Sequence, residues 1–149
     1  MSQRSVEHAT FVIERRYESP REQVYAAWAD PPAKAAWFGA SDDYQLDFRI
    51  GGRELNRGAG PDGTAYTFDA RYQDIVPNER IVFTYFMLMG STGISVSVTT
   101  VELADDGDVT RLVYTEMGVF LDDHDDPRQR ERGTGGLLDA LGTRLGTEQ

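Results

Sequence analysis

The sequence predicts an α+β domain: a curved antiparallel sheet of about seven strands wrapped on one long C-terminal helix, with two short helices after the first strand. Three observations predict it. Leu137, Leu138, Leu141 and Leu145 recur at helical spacing near the end of the chain and form one apolar stripe that needs a surface to cover. Residues 44–117 read almost throughout as strands broken by tight turns, and strands joined by short turns are antiparallel. Residues 19–22, S-P-R-E, carry a helix-start signature just after a β-rich opening.

Residues 10–18 are rich in β-branched and aromatic side chains and read as the first strand. Ser19 is then the expected N-cap of a helix, with Pro20 in its first position and Glu22 completing a capping box. Val24, Tyr25 and Trp28 give this helix an apolar face, and Asp30-Pro31-Pro32 is expected to stop it. A second short helix is expected over residues 33–37, ending at Gly39. Strands follow over residues 44–50 and 53–58, separated by Gly51-Gly52, which reads as a tight turn or bulge because it lacks any phosphate-loop or dinucleotide fingerprint. Gly60-Pro61-Asp62-Gly63 is a hairpin turn. Residues 66–76 alternate, with Tyr66, Phe68, Ala70 and Tyr72 on one face.

Residues 81–89 are apolar on both faces. Residues 94–103 alternate at first, and a phase slip at Thr99-Thr100-Val101 predicts a bulge. After the turn at residues 105–108, the last strand spans residues 109–117. The long helix covers residues 126–145, with Asp126 as N-cap, Pro127 in the first position and Gln129 as capping-box partner. Gly133, Gly135, Gly136 and Gly142 lie inside it, each less favourable than Ala by roughly 1 kcal/mol. They point either to close helix–sheet packing or to room left for a ligand.

The whole chain, residues 1–149, is expected to form one domain with its ordered core over about residues 10–146. At 40% hydrophobic residues it is globular. No stretch approaches the ~20 apolar residues of a membrane helix, and residues 1–8 are too polar for a signal peptide. The absence of cysteine excludes disulfides, thiol catalysis and thiolate metal sites, and a cytoplasmic location is expected. A net charge of −10 without a basic patch speaks against nucleic acid as a partner.

Recognisable catalytic sets are missing. No serine sits in a nucleophile elbow, and no Ser/His/Asp set stands out. The acidic run Asp122-Asp123-His124-Asp125-Asp126 lacks calcium-loop spacing and reads as a solvated loop that caps the last helix; no metal or cofactor is expected. Glu116 shares a strand face with Leu112 and Tyr114, so it is expected at a cavity wall, either as a general base or paired with an arginine such as Arg15. Trp28, Trp37, Phe38, Tyr66, Phe68, Tyr85, Met87 and Met117 supply the aromatic and thioether surface that a small-molecule cavity needs.

In this order and spacing, R-R-Y-E-S-P-R-E-Q-V-Y-A-A-W-A-D-P (residues 15–31), A-W-F-G (36–39), D-F-R-I-G-G-R (47–53), G-P-D-G-T (60–64), I-V-P-N-E-R-I-V-F-T (75–84) and V-T-R-L (109–112) resemble single-domain bacterial homologues of the activator of the 90-kDa heat-shock chaperone ATPase. The resemblance implies the helix-grip fold shared with START lipid-transfer domains, birch-pollen-type allergens and polyketide cyclases. The family places Gly-Trp ahead of a Leu-x-x-Leu stripe in its last helix, and Gly136 occupies the tryptophan position here. Eukaryotic activators carry a further N-terminal chaperone-binding domain, which this chain is not expected to have room for, so fold and family name alone imply little about chaperone activation.

The sequence favours a binding module for a small hydrophobic or amphipathic ligand. A cyclase- or hydrolase-like enzyme using Glu116 or a pocket tyrosine, and a chaperone-related interaction module, stay open beside it. The cavity is expected beneath Gly135 and Gly136, lined by Tyr66, Phe68, Tyr85, Tyr114 and Leu138, with Trp37, Phe38, Met87, Glu116 and Leu141 as further candidates. On this view Gly136→Trp blocks ligand uptake. A homodimer is expected from the two-faced apolar strand at residues 81–89.

Overall fold

The computed structural model describes residues 4–147. Its elements run β1 (Val6–Tyr17), α1 (Arg21–Ala29), α2 (Pro31–Trp37), β2 (Gln45–Leu46), β3 (Arg53–Ala59), β4 (Ala65–Val76), β5 (Arg80–Met89), β6 (Thr92–Asp106), β7 (Val109–Leu121) and α3 (Pro127–Thr147). The strands form one antiparallel sheet in the order β1-β7-β6-β5-β4-β3-β2. From β2 to β7 every neighbour is a sequence neighbour; only β1 crosses over, to pair with β7 along its whole length. This is the α+β helix-grip architecture expected from the sequence.

Helix α3 lies across the concave face. Leu138, Leu141 and Leu145 are fully buried there with Phe11, Ile13 and Tyr17 of β1, Val24 and Trp28 of α1, and Leu112 of β7. The Tyr17 hydroxyl donates to the Leu138 carbonyl at 2.8 Å and ties the helix to the edge strand. Gly142 is where the two approach closely: a Cβ there would stand 3.1 Å from the Tyr17 ring. At Gly135 it would stand 3.2 Å from Arg15 Nη2. Two of the five glycines in α3 thus serve close helix–sheet packing.

Several boundaries differ from the sequence expectation, each for a local reason. Strand β1 begins at Val6 because its full-length partner β7 runs on to Leu121. Helix α1 has Pro20, not Ser19, at its N-cap and no side-chain cap. Pro31 and Pro32 do not merely end α1; they form the first turn of α2, where a missing N–H costs nothing, and the Asp30 side chain accepts from Ala33 N. The strand expected at residues 44–50 shrinks to Gln45–Leu46, since the chain then folds back so tightly that a Cβ on Gly52 would stand 2.0 Å from the Asp47 carbonyl oxygen. In α3, Asp126 does cap through Arg128 N, but Asp125, not Gln129, accepts from the Asp126 N–H.

The bulge expected at Thr99-Thr100-Val101 is absent: those residues pair in unbroken register with Phe83, Val82 and Ile81. The irregularity lies instead between Met87 and Leu88, and another sits between Tyr72 and Asp74. No phase slip exists because β6 is inverted relative to a simple apolar-in pattern. Ser95, Ser97 and Thr99 are buried, while Val96 and Val98 face outward, 47% and 44% exposed. With Phe86 and Met117 they leave apolar side chains on the outer face of the sheet. Met117, which the sequence grouped with the cavity aromatics, belongs to that outer face.

Candidate functional site

Between the concave face of β3–β7 and the helices lies a cavity of about 610 Å³. Strand alternation places its floor: Phe68 on β4, Phe83, Tyr85 and Met87 on β5, and Tyr114 on β7 all point to this face. Trp28 of α1, and Trp37 and Phe38 at the end of α2, close one side. Gln129, Arg130, Gly133, Thr134, Leu137 and Leu138 of α3 form the roof. The rings contact one another as well as the hollow: Phe68 and Tyr85 centroids are 4.7 Å apart, Phe38 and Phe68 5.2 Å, Trp28 and Trp37 4.8 Å.

Behind this aromatic wall sits a buried ion pair. Lys34, the only lysine of the chain, is 1% exposed; its ammonium donates to both oxygens of Glu54, at 3.1 and 2.8 Å. Tyr44 and Tyr72 hydroxyls donate to the same carboxylate at 2.5 and 2.6 Å. The ammonium also lies 4.2 Å from the Phe38 ring centroid, 5.0 Å from that of Trp28 and 5.5 Å from that of Trp37. Burial pulls the lysine down from its ordinary pKa, and Glu54 opposes that pull. Both charges of the pair are met, and the ammonium packs against the three rings that face the cavity.

A second polar cluster marks the other end. Glu116 is 1% exposed and accepts from Tyr85 at 2.7 Å, Ser97 at 3.0 Å, Tyr114 at 3.3 Å and Arg130 at 3.4 Å. Arg130 also donates to the Tyr85 hydroxyl at 2.7 Å, to Ser95 at 2.8 Å and to Asp125 at 2.6 Å, and its guanidinium stacks over the Phe120 ring. Burial alone would lower the arginine, but Tyr85, Glu116 and Asp125 outweigh it and hold the guanidinium above its usual range. Burial, reinforced by the Glu116 charge, pushes the Tyr85 and Tyr114 phenols up. The inward turn of the two β6 serines is explained here, since Ser95 and Ser97 feed this cluster.

Of the residues chosen from sequence, Trp37, Phe38, Tyr66, Phe68, Tyr85, Met87, Tyr114 and Leu138 line the cavity. Glu116 stands behind the wall, not in it, and its arginine partner is Arg130; Arg15 pairs with Asp139 instead. Leu141 is fully buried in the core one turn further along α3. Gly136 is on the solvent side of α3, and a Cβ there would meet nothing within 4 Å. The α3 glycine that borders the cavity is Gly133. Sequence reasoning missed Phe83 and Leu137 among the apolar lining, Asn56, Gly58 and Pro61 on and after β3, and Asp125, Gln129, Arg130, Gly133 and Thr134 around the start of α3. For Arg130 the only signal was its place one turn after the cap Asp126, shared in character by Arg128 and Arg132 on either side.

Among the described residues no group of histidines, aspartates and glutamates converges as metal ligands would. Asp122 binds Arg4 and the Ser5 N–H, Asp125 binds Arg130, and Asp126 caps α3.

A sheet wrapped on one long helix, with a hollow between them and two short helices closing its end, defines a helix-grip domain of the START-like class. Over residues 18–146 the chain matches the family described as activator of Hsp90 ATPase homolog 1-like protein, and it belongs to that family. Among solved structures it is similar to an uncharacterised protein from Rhizobium leguminosarum, with 45% identity over 98% of this chain and 99% of that one, at a TM-score of 0.93. A protein from Rhizobium loti is 46% identical over 94% of this chain and 99% of its own, at a TM-score of 0.89. One from Chromobacterium violaceum is 26% identical over 91% and 96%, at 0.75. Comparison with curated proteins gives no match. No described helix is long and apolar enough to cross a membrane.

Proposed function

We propose that this protein binds a small hydrophobic or amphipathic molecule in the cavity between the sheet and α3. The observation that carries the reading is a hollow of about 610 Å³ with eight aromatic residues in its wall and a few polar ones, among them Asn56, Asp125 and Arg130. Native interiors pack densely, so a hollow of this size and lining is the expected form of a small-molecule site.

Catalysis through Glu116 finds less support, because its oxygens are committed to four donors and the cavity is reached only through Tyr85, Tyr114 and Arg130. The family's name suggests a chaperone contact, to be tested by pull-down with that chaperone. The absence of cysteine supports a cytoplasmic setting. The apolar outer face around Phe86, Val96 and Val98 supports a homodimer, which sedimentation as a monomer at high micromolar concentration would exclude.

The test of the binding reading is native mass spectrometry of protein purified from its own host. A reproducible adduct of small-molecule mass, lost on Phe68→Ala with Tyr85→Phe, is expected. Uniformly empty protein, together with no change in tryptophan fluorescence across a panel of apolar probes, would count against it.

A further inference from the structure

We infer that the cavity selects an amphiphile with a neutral or cationic, hydrogen-bond-donating head group and rejects carboxylate-headed ones. This rests on the binding reading above and names the class of ligand for the same site. Three charged side chains meet at the polar end: Glu116 and Asp125 are negative, Arg130 is positive, and the sum is −1. The Lys34–Glu54 pair at the far end sums to zero and lies behind the rings of Trp37 and Phe38. The first turn of α3 does not offset the balance. Its N-terminus, which would attract an anion, is already capped by the carboxylate of Asp126.

Donor accounting leads to the same answer. Arg130 Nη1 donates to Tyr85 and Glu116, and Nη2 to Ser95 and Asp125, so its terminal N–H groups are committed within the protein. The Tyr85 and Tyr114 hydroxyls donate their protons to Glu116. What this cluster leaves on the cavity side is acceptor capacity: lone pairs on the Tyr114 phenol oxygen and the Asp125 carboxylate, since each such oxygen can accept more than one bond; the Gln129 amide and Thr134 hydroxyl, which also line the cavity, donate as readily as they accept and carry no net charge, so they leave the charge balance as it is. An incoming carboxylate would meet net negative charge in a poorly solvated place, with the nearest cation already neutralised. A hydroxyl, amide or ammonium head would find acceptors instead. Rejecting one class through like charge is a recognised route to specificity.

The experiment is calorimetric titration of the intact protein at neutral pH with two probe scaffolds, decyl and 2-naphthylmethyl. Each is offered as carboxylate, primary amide and amine. Trp28 and Trp37, the only tryptophans, both line the cavity and give a parallel fluorescence signal. The amide and amine are expected to bind at least about tenfold more tightly than the carboxylate of the same scaffold, and Asp125→Asn to narrow that gap. A carboxylate that binds as well as its amide overturns the charge inference while leaving the cavity as a binding site. An unchanged gap in Asp125→Asn overturns it too, because the discrimination would then come from something other than this charge. If neither scaffold binds in any form, the binding reading fails and the inference falls with it.

Discussion

Arg130 on the first turns of α3 donates to the hydroxyl of Tyr85 at the centre of the sheet, 2.7 Å away. That bond joins residues 45 apart in sequence and fixes the position of the helix over the cavity. Arg130→Met would keep much of the side-chain volume but strand Glu116 and Asp125 without their cation. Leaving a buried charge unpaired typically costs about 3–5 kcal/mol; Tyr85, Ser97 and Tyr114 still donate to Glu116, so the lower end of that range is expected. Urea denaturation checks it. A double variant Arg130→Met, Glu116→Gln should recover part of the loss, since the stranded charge is then removed; no recovery would mean that the arginine acts mainly through packing on Phe120.

The Lys34–Glu54 pair gives a sharper version of the same test. Lys34→Met alone should destabilise by about 3–5 kcal/mol, whereas Lys34→Met with Glu54→Leu should be much closer to wild type, because a buried pair roughly balances its own desolvation. Two tyrosine hydroxyls, Tyr44 and Tyr72, would lose their acceptor in the double variant, so a residual penalty of about 1–3 kcal/mol is expected. Denaturant midpoints of the three proteins decide. Equal losses in single and double variants would show that packing of the lysine stem among the rings matters more than charge.

High pH should unfold the protein cooperatively. Burial is the leading cause that raises Tyr17, Tyr25, Tyr44, Tyr72, Tyr85 and Tyr114 above their ordinary value, with Glu54 or Glu116 adding to four of them. Above about pH 10 the unfolded chain releases tyrosine protons that the folded chain keeps. The unfolded state then holds fewer protons, so stability falls as pH rises. Tyrosinate absorbance is expected to climb in one step that coincides with loss of the β-sheet circular dichroism signal. Independent titration of most tyrosines with the fold intact would refute this.

Element order was legible because each signal is local: the alternation of residues 66–76, the turns at Gly60-Pro61-Asp62-Gly63 and around Gly107, the leucine stripe. The aromatic wall was legible for the same reason, since Phe68, Tyr85 and Tyr114 follow from strand phase. What stayed hidden depends on partners far apart in sequence. Strand β6 reads as apolar-in only if hydrophobicity decides; in fact Ser95 and Ser97 turn inward because Arg130 and Glu116 are there to meet them. The full length of β1 is set by β7, over a hundred residues away for most pairs. Arg130 looks like Arg128 and Arg132 until the helix is docked and its rotation is known.

Helix rotation also decides what the α3 glycines do, and two substitutions separate the cases. Gly136 faces solvent with open space around it, so Gly136→Trp is expected to leave ligand uptake unchanged, contrary to the expectation drawn from its place at the family's tryptophan position. Gly136→Ala should raise stability by up to about 1 kcal/mol, the helix-propensity difference with nothing to oppose it. Gly133 borders the cavity at its exposed rim, and a Cβ there also meets nothing within 4 Å, so larger side chains fit beside the hollow without a clash at Cβ. Gly133→Phe is therefore expected to keep the fold, gain some helix stability and weaken binding of decanamide or any other probe that the wild type takes up. Gly142→Ala is the contrast: its Cβ would press on the Tyr17 ring at 3.1 Å, so the propensity gain should be cancelled or reversed. Thermal melts of the Ala and aromatic variants, with calorimetric titration of the aromatic ones, give the comparison. Binding that survives Gly133→Phe and is lost in Gly136→Trp would show that the ligand lies on the outer side of α3 and not beneath it.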